Sequence, residues 1–351
     1  MEINCMYQGI YTLIGQELSM FTRKLEAQLC YQSIPYEWEI KSQEKSAAIN
    51  ARVGTHFIPI LKTPDGWMLN DTISIGPFLN DRFKQCPVIP ESPAQRAACF
   101  ILEDFFNHWY PRHALHSRWC YPDNVVVTGR RFGSNVLLGK HIDAELNNDE
   151  KAQIENFGEI IHGSFGAAAC EVQGAGPEKS KAIKADFERL LQLLVAHLKD
   201  NNFLLGDRAC LGDFALVGPF VAHFLLDPEP KSWVGQHLPI IEDYVERVWS
   251  GAKSKDHWKP DDQLPESLLP IFDYAINHYQ RFAAESIRAA GKGEKFFELD
   301  LGDGPFTARS MKRLEKARIH VQDELLRAGS DKSSLCNCGV MSYYLAASTL
   351  N

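Results

Sequence analysis

The sequence predicts an α/β domain over residues 8–85, followed by an all-helical domain (α/β + all-α). Three observations indicate this division. Short apolar runs bounded by turn residues alternate with amphipathic helical patterns before residue 85. A proline-rich connector, 87–93, then interrupts the chain, as is typical of a domain boundary. After this connector, apolar residues recur at helical spacing.

The first domain opens with a β-α-β pattern. The apolar run 10–14 predicts a buried strand, because it is short and ends at a turn residue. Apolar residues spaced by four then predict an amphipathic helix with Ser19 near its N-cap. Residues 36–40 alternate apolar and charged side chains, which predicts a second strand. The polar stretch 41–55 is expected to be a linker.

A proline inside an apolar run marks the next strand. Pro59 lies in the run 57–61, which predicts a buried strand, although proline has no backbone donor and rarely occupies a central strand. A proline at the start of a strand and near a turn is one place where cis peptide bonds occur. It would leave the backbone of Ile58 free to pair with a peptide-like ligand. A turn at 64–66, another strand and a helix capped by Thr72 complete a β-α-β, linker, β-β-α order.

Helices dominate the rest of the chain. The clearest is an apolar stripe at helical periodicity, formed by Ile183, Phe187, Leu190, Leu191, Leu194 and Leu198. The sequence predicts a helical domain over 92–260 and a helical C-terminal extension over 261–351 that packs on it. Within this extension we expect helices at 268–290 and 306–328, with a loop at 291–304 between them.

Composition excludes several classes of protein. The 351 residues are 45% hydrophobic and 23% charged, which is typical of a globular protein with enough material for two cores. A formal net charge of −8 argues against nucleic acid as the main partner. The longest apolar stretch, 214–226, is too short and too interrupted to span a bilayer, so no membrane partner is expected. The first residues do not resemble a secretion signal, and nine scattered cysteines predict reduced thiols in a cytoplasmic protein.

Three motifs of the first domain resemble the glutathione transferase superfamily. Residues 18–24, LSMFTRK, are similar to its active-site turn and first helix, although Met20 stands where the family often has proline. Residues 58–61, IPIL, are similar to its cis-proline strand. Residues 69–75, LNDTISI, are similar to the acid-and-hydroxyl motif that holds the γ-glutamyl group of glutathione.

A fourth similar segment lies far downstream, at 203–216. In the family this region holds the capping box of a core helix, and Asp213 matches its aspartate, whereas Cys210 replaces the usual serine or threonine. The resemblance covers residues 8 to 250. It implies a thioredoxin-like N-terminal domain, a glutathione-transferase-type helical domain, reduced glutathione as co-substrate, no metal, and a homodimer.

The resemblance gives Ser19 a catalytic role. Backbone N–H groups and the dipole at a helix N-terminus favour an anion, so a glutathione thiol held there would have its pKa lowered. The Ser19 hydroxyl would add a charge-assisted hydrogen bond to the thiolate. Its alternative role is that of an N-cap only. Thr22 is the second candidate, and Tyr7 and Tyr11 are candidates if the chain follows the tyrosine-using branches of the family.

The same resemblance implies the residues that bind glutathione, which are Ile58, Pro59, Asp71 and Thr72. A helix N-terminus with a neighbouring acid can hold both the carboxylate and the ammonium of a γ-glutamyl group. The family often has glutamate and serine at the last two positions, so the shorter Asp71 would need a closer ligand.

Residues 105–119 are unusually aromatic and basic. In the family this helix lines the pocket for the second substrate, so the candidates for binding a flat hydrophobic electrophile are Phe105, Trp109, Arg112 and His113. Arg112 or Arg118 would suit a carboxylate on that substrate. The alternative is a core helix with a solvated basic face.

Metal binding is not expected. His113 and His116 lie one turn apart with His108 and Cys120 nearby, but no carboxylate–histidine pattern completes a site. The cluster at 336–338, Cys-Asn-Cys, has no partner pair of cysteines.

The predicted function is that of a glutathione transferase, in which the thiolate held by Ser19 attacks a hydrophobic electrophile and forms a thioether. The same thiolate would also serve an isomerase or a reductive dehalogenase. A different class of function is a non-catalytic scaffold that keeps the fold. A third alternative is a glutathione-independent pocket for a large apolar ligand.

Overall fold

A computed structural model describes residues 9–253, 257–330, 335 and 338–347. Its strands are β1 (Tyr11–Gly15), β2 (Tyr36–Ile40), β3 (Ile60–Lys62), β4 (Met68–Asn70), β5 (Phe296–Asp300) and β6 (Pro305–Arg309). Its first α-helices are α1 (Met20–Tyr31), α2 (Gln43–Val53), α3 (Thr72–Arg82), α4 (Pro93–Trp119), α5 (Pro122–Phe132), α6 (Asn148–Ile154), α7 (Phe157–Ile161) and α8 (Ala167–Val172). The later ones are α9 (Ser180–Leu198), α10 (Leu211–Pro219), α11 (Pro228–Val234), α12 (Leu238–Trp249), α13 (Leu269–Ala275), α14 (Arg281–Gly291), α15 (Arg313–Arg327) and α16 (Ser342–Leu345).

The N-terminal part is a mixed four-stranded sheet in the order β2-β1-β3-β4. β1 runs parallel to β2 and antiparallel to β3, and β3 is antiparallel to β4. The first pair is parallel because α1 returns the chain to the same end of the sheet. This sheet followed by a mostly helical region confirms the predicted fold class, a thioredoxin-like domain followed by a helical one.

Two predictions for the N-terminal part are wrong. The stretch 41–55 is not a linker, because Gln43–Val53 forms α2. Only Ile49 of that helix is buried, so the sequence shows no apolar stripe from which to infer it. The run 57–61 is not a buried strand throughout, since β3 begins at Ile60 and Phe57 is 65% exposed. The peptide bond between Ile58 and Pro59 is cis.

The helical part is built around α4 and α10. Gly218 lets α10 lie directly against α1, because a Cβ at this position would come 2.3 Å from the carbonyl oxygen of Met20. The predicted apolar stripe of α9 is confirmed, since all six of its residues are buried. Asp213 completes the capping box of α10 by accepting a hydrogen bond from the backbone of Cys210 at 2.8 Å.

The C-terminal extension packs on α4. Two of its tyrosines, Tyr279 and Tyr344, donate hydrogen bonds to the same carboxylate oxygen of Asp104, at 2.7 and 2.9 Å. Another contact is an ion pair of 2.5 Å between Arg96 of α4 and Glu324 of α15. α4 therefore lies between the N-terminal part of the chain and the extension.

The extension is not helical throughout, which corrects the prediction of a loop at 291–304 and of a helix that begins at 306. The strands β5 and β6 form an antiparallel hairpin in this region, and α15 begins only at Arg313. The hairpin forms because Phe297, Phe306 and Ala308 point into the core while their neighbours along the strands are exposed or half-buried. In the part of the chain that the structure describes, no helix is both long and apolar enough to cross a membrane.

Candidate functional site

Four segments of the N-terminal part meet at one edge of the sheet. Ile60, the first residue of β3, pairs with Ile14 near the end of β1 and with Asn70 at the end of β4. β2 runs parallel to β1 and ends beside it. This edge therefore collects the residues that follow or precede these strand ends, which are Ser19, Lys41, Pro59 and Asp71.

Ser19 is the N-cap of α1, as predicted. Its backbone is extended, and its Oγ accepts a hydrogen bond of 3.3 Å from the backbone N–H of Thr22. The side chain is half-buried. Within the described residues nothing accepts the hydroxyl hydrogen, so a ligand at the start of α1 can take it. This is a suitable position for a hydroxyl that stabilises a thiolate.

The other hydroxyl candidates point elsewhere. Thr22 is fully buried beneath Gly15, where a Cβ would come 2.5 Å from the Thr22 methyl group. Tyr11 is fully buried in β1, and its hydroxyl accepts a hydrogen bond of 3.3 Å from Arg82. Tyr7 and Cys336 lie outside the described residues.

Asp71, and not Thr72, is the N-cap of α3, which corrects the prediction. The Asp71 carboxylate accepts a hydrogen bond of 3.1 Å from the backbone N–H of Ile73 and is exposed. Thr72 is the first residue of the helix. Asp71 has a φ of 72° and a ψ of 106°, a backbone conformation that costs about 1–3 kcal/mol for a non-glycine residue and is frequent at ligand sites.

A buried ion pair lies beneath this motif. Lys24 of α1 donates hydrogen bonds from Nζ to Glu103 at 2.6 Å, to Asn107 at 3.2 Å and to the hydroxyl of Thr72 at 3.3 Å. Burial raises the pKa of Glu103, and the charge of Lys24 opposes this effect. The network ties α1, α3 and α4 together. It thereby fixes the position of Thr72 at the start of α3.

Lys41 is a candidate that the sequence did not single out. It is buried at the end of β2, and its Nζ donates a hydrogen bond of 2.9 Å to the carbonyl oxygen of His56. Among residues 9–253 and 257–330, no carboxylate pairs with it. Burial lowers the pKa of its ammonium group. A buried cation without a counter-ion is suited to binding an anionic ligand.

Glu17 anchors the turn between β1 and α1 to the helical part. Its carboxylate accepts hydrogen bonds from the side chain of Asn135 at 3.0 Å and from the backbone of Ile142 at 2.9 Å. Its backbone carbonyl accepts another from Arg23 at 3.0 Å. Glu17 and Asn135 are 118 residues apart, so no local sequence pattern indicates this contact.

The four residues predicted to bind the electrophile face α9 or the extension. Phe105 and His113 are fully buried, with the ring of Phe105 against Tyr279 and His113 paired with Asp186 at 2.7 Å. All recorded contacts of Phe105, Trp109, Arg112 and His113 in the described chain are with the helical part or the extension. The structure therefore does not bring them to Ser19.

Trp109 and Arg112 share a different environment. They line a small cavity closed by Asp186 of α9 and by Asp303 and Phe306 of the extension. Trp109 donates a hydrogen bond of 2.9 Å to the hydroxyl of Tyr274 in α13. The sequence predicted a helix at these positions. It contains no local pattern that shows that the extension covers this face of α4.

A second, narrow crevice lies next to Ser19. It is lined by Met20, Phe21 and Lys24 of α1, by Phe106 and Asn107 of α4, and by Ala215 and Pro219 of α10. Lys24 and Asn107 are polar, and the other lining residues are apolar. Within the described chain, no group of three histidine, cysteine or acidic residues is arranged to hold a metal ion.

Comparison with known proteins matches the helical part to a family. Residues 164–251 match the family model of the glutathione S-transferase C-terminal domain. No curated protein sequence matches the chain.

Several solved structures resemble this one at low identity. A glutathione S-transferase from Rhodospirillum rubrum F11 is 15% identical, with a TM-score of 0.42 over 72% of this chain and 97% of its own. Glutathione transferase GSTFuA3 from Phanerochaete chrysosporium is 14% identical, with a TM-score of 0.46 over 69% of this chain and 97% of its own. A glutathione S-transferase from Ceriporiopsis subvermispora, solved in complex with glutathione, is 17% identical, with a TM-score of 0.44 over 68% of this chain and 98% of its own. These likenesses do not bear on the ligand or the activity of this chain.

The matched C-terminal domain spans α8 to α12 and includes the capping box at Asp213. The mixed sheet precedes it, with a cis-proline strand and a helix that begins at Ser19. Residues 164–251 are therefore similar to the C-terminal domain of the glutathione S-transferases, in a chain whose fold is a thioredoxin-like domain followed by a helical one.

Proposed function

We propose that this protein binds reduced glutathione at the sheet edge and transfers its thiolate to a hydrophobic electrophile. Ser19 carries this proposal, because it combines a hydroxyl hydrogen free for a ligand with a place at the N-terminus of α1. Both features stabilise a thiolate over a thiol. Asp71 and Lys41, at the same edge, carry charges opposite to those of the ammonium and the carboxylate at the two ends of glutathione.

Each part of glutathione has a matching group at this edge. The carboxylate of Asp71 and the N-terminus of α3 suit the ammonium and the carboxylate of the γ-glutamyl end. The backbone of Ile58, before Pro59, suits the peptide groups of the central cysteine. The buried ammonium of Lys41 suits the carboxylate of the glycyl end.

The reaction then follows from the position of the sulfur. The thiol gives its proton to solvent, and the thiolate is held by the hydroxyl of Ser19 and the N-terminus of α1. The sulfur forms a bond to an electrophilic carbon, and the leaving group departs with its electron pair or, in an addition, the substrate takes up a proton. The narrow crevice between Met20 and Phe106 adjoins the start of α1, and it would have to widen to admit part of the electrophile.

A second candidate function is glutathione binding without transfer. The observation in its favour is that the extension covers Phe105 and its neighbours, so the aromatic face of α4 is not available to a substrate. Such a protein would retain the glutathione site and use the fold as a scaffold.

Titration calorimetry and a conjugation assay separate these candidates. We expect wild type to bind glutathione, and Lys41→Met and Asp71→Asn to weaken binding, because each removes a charge that pairs with the ligand. Asp71→Asn keeps an oxygen that can cap α3, so the loss would be specific to charge.

The assay would use 1-chloro-2,4-dinitrobenzene as the electrophile. Ser19→Ala should reduce turnover roughly tenfold or more while glutathione affinity changes little, since the lost donor acts on the reacting anion. Ser92→Ala controls for the loss of a serine at a helix start away from the site, and the Ser92 side chain makes no capping hydrogen bond. Binding without any turnover in wild type would favour the scaffold, and no binding at millimolar glutathione would contradict both candidates.

A further inference from the structure

A pair of cysteines lies at the end of α4, away from the sheet edge. Cys120 directly follows the last residue of α4, and Cys170 lies in α8. Their Sγ atoms are 3.8 Å apart. Cys120 is half-buried, whereas Cys170 is only 2% exposed. Cys120 is therefore the more accessible residue of the pair.

The surroundings distinguish the two sulfurs further. The hydrogen bond with Cys170 lowers the pKa of the Cys120 thiol, burial opposes this, and the ring of His116 lowers it again. The same hydrogen bond and burial raise the pKa of Cys170. His116 lies one helical turn before Cys120, and its Nδ1 donates a hydrogen bond of 2.9 Å to the carbonyl oxygen of Ala175. These surroundings favour loss of the proton from Cys120 over its loss from Cys170.

The structure points to a thiol–disulfide exchange site: we propose that Cys120 and Cys170 react with small disulfides such as glutathione disulfide, with Cys120 attacking and Cys170 resolving. The Cys120 thiolate attacks one sulfur of the disulfide, forms a mixed disulfide and releases one glutathione thiolate, which takes up a proton. Cys170 then loses its proton and attacks the Cys120 sulfur, which releases the second glutathione. In sum, one glutathione disulfide is reduced to two glutathione molecules, and the protein dithiol is oxidised to a disulfide.

The geometry allows this closure with a small movement. A disulfide has its sulfurs about 2.05 Å apart, so the two Sγ atoms must approach by about 1.8 Å from 3.8 Å. Cys120 is the first residue beyond α4, and Cys170 lies two residues before the end of the continuous helical stretch 157–172, so each cysteine is near a helix end. The exchange does not depend on Ser19 or on the glutathione site.

Three other cysteines of the described chain lack this combination. Cys99 and Cys210 are both fully buried, so no reagent reaches them in the folded protein. Cys30 is half-buried like Cys120, but burial raises the pKa of its thiol, and its recorded contact of 3.4 Å is with the hydroxyl of Tyr36. Cys30 is therefore a matched control for accessibility without activation.

The test is exchange of the full, reduced chain with glutathione disulfide, followed by acid quenching, alkylation and peptide mass spectrometry. We expect wild type to form a Cys120–Cys170 disulfide and to release two glutathione molecules. Cys170→Ser should stop at one glutathione adduct on Cys120. Cys120→Ser should form neither product, and Cys30→Ser should behave like wild type.

A second measurement keeps the proposal testable if a variant folds poorly. In wild type at neutral pH, iodoacetamide should alkylate Cys120 roughly tenfold faster than Cys30, because more of Cys120 is thiolate. 2-Hydroxyethyl disulfide should also oxidise the pair, which distinguishes this site from the glutathione site. Equal alkylation of Cys120 and Cys30, or no Cys120–Cys170 disulfide in wild type at excess glutathione disulfide, would overturn the proposal.

Discussion

The turn between β1 and α1 is joined to the helical part through the carboxylate of a single residue, Glu17. We predict that Glu17→Gln lowers the free energy of unfolding by about 1–2 kcal/mol. The neutral amide would replace the charge that holds Asn135 and Ile142, and its N–H donors would face Arg23. Urea denaturation at neutral pH measures the loss. Glu39→Gln is the control, since Glu39 pairs only on the surface with Lys45, and it should change stability by less than about 0.5 kcal/mol.

The stability difference between wild type and Glu17→Gln should also depend on pH, in a direction that the pKa of Glu17 determines. Burial would raise the pKa of Glu17, but the hydrogen bonds from Asn135 and Ile142 and the charge of Arg23 outweigh it, so the pKa is lowered. A carboxyl group with a lowered folded pKa stabilises the fold above its unfolded pKa, and this contribution is lost as pH falls through the folded pKa. The difference between wild type and Glu17→Gln should therefore be largest above pH 4.5 and shrink below it. A difference that grows in acid would contradict this assignment.

The sequence identified some residues of the site and missed others for a physical reason. Ser19 and Asp71 could be predicted, because each starts a helix and a helix start has a local signature. Lys41 and Lys24 could not, because burial of a lysine depends on chain segments distant in sequence. Lys24, for example, pairs with Glu103, which lies 79 residues away.

At the scale of elements, the start of α10 depends on one buried carboxylate. Asp213 accepts hydrogen bonds from the backbone of Cys210 and Leu204 and from the hydroxyl of Tyr244, at 2.8, 2.9 and 2.7 Å. We predict that Asp213→Ala lowers the free energy of unfolding by about 3 kcal/mol or more, because three buried donors lose their acceptor. Chemical denaturation measures it, and Asp207→Ala, in the exposed part of the same loop, should have little effect. If both variants lowered the free energy of unfolding equally, the effect would come from the loop in general and not from the capping hydrogen bonds of Asp213.

Elements with a one-sided apolar pattern could be predicted, and those without it could not. α9 has a continuous stripe from Ile183 to Leu198, so its helix was evident. α2 buries only Ile49 and looked like a linker. Buried and exposed side chains alternate along the two strands of the hairpin, but each strand has only five residues and glycines lie between them. The sequence therefore predicts a loop and the start of a helix there.

At the scale of the whole molecule, α4 packs against two different parts of the chain. This explains why Phe105 and Trp109 do not lie at the sheet edge, where a substrate pocket was expected. Glu103 and Asn107 face α1, whereas Phe105 and Trp109 face the extension. A family resemblance that ends near residue 250 carries no information about what covers the second face. The sequence therefore predicts these aromatic residues in a substrate pocket. In the structure, Phe105 and Trp109 contact Tyr279 and Tyr274 of the extension.

The extension should consequently unfold together with the rest of the helical part. Tyr344→Phe removes one of the two hydroxyls that hold the buried carboxylate of Asp104, and we predict a loss of about 1–2 kcal/mol in the free energy of unfolding. Tyr343→Phe is the matched control: its hydroxyl is buried without a hydrogen-bond partner among the described residues, so its removal should change stability by less than about 0.5 kcal/mol. Urea unfolding followed by tryptophan fluorescence and by far-ultraviolet circular dichroism should give one coincident transition that Tyr344→Phe shifts as a whole. An early separate transition, shifted alone by Tyr344→Phe, would show instead that the extension folds independently of α4.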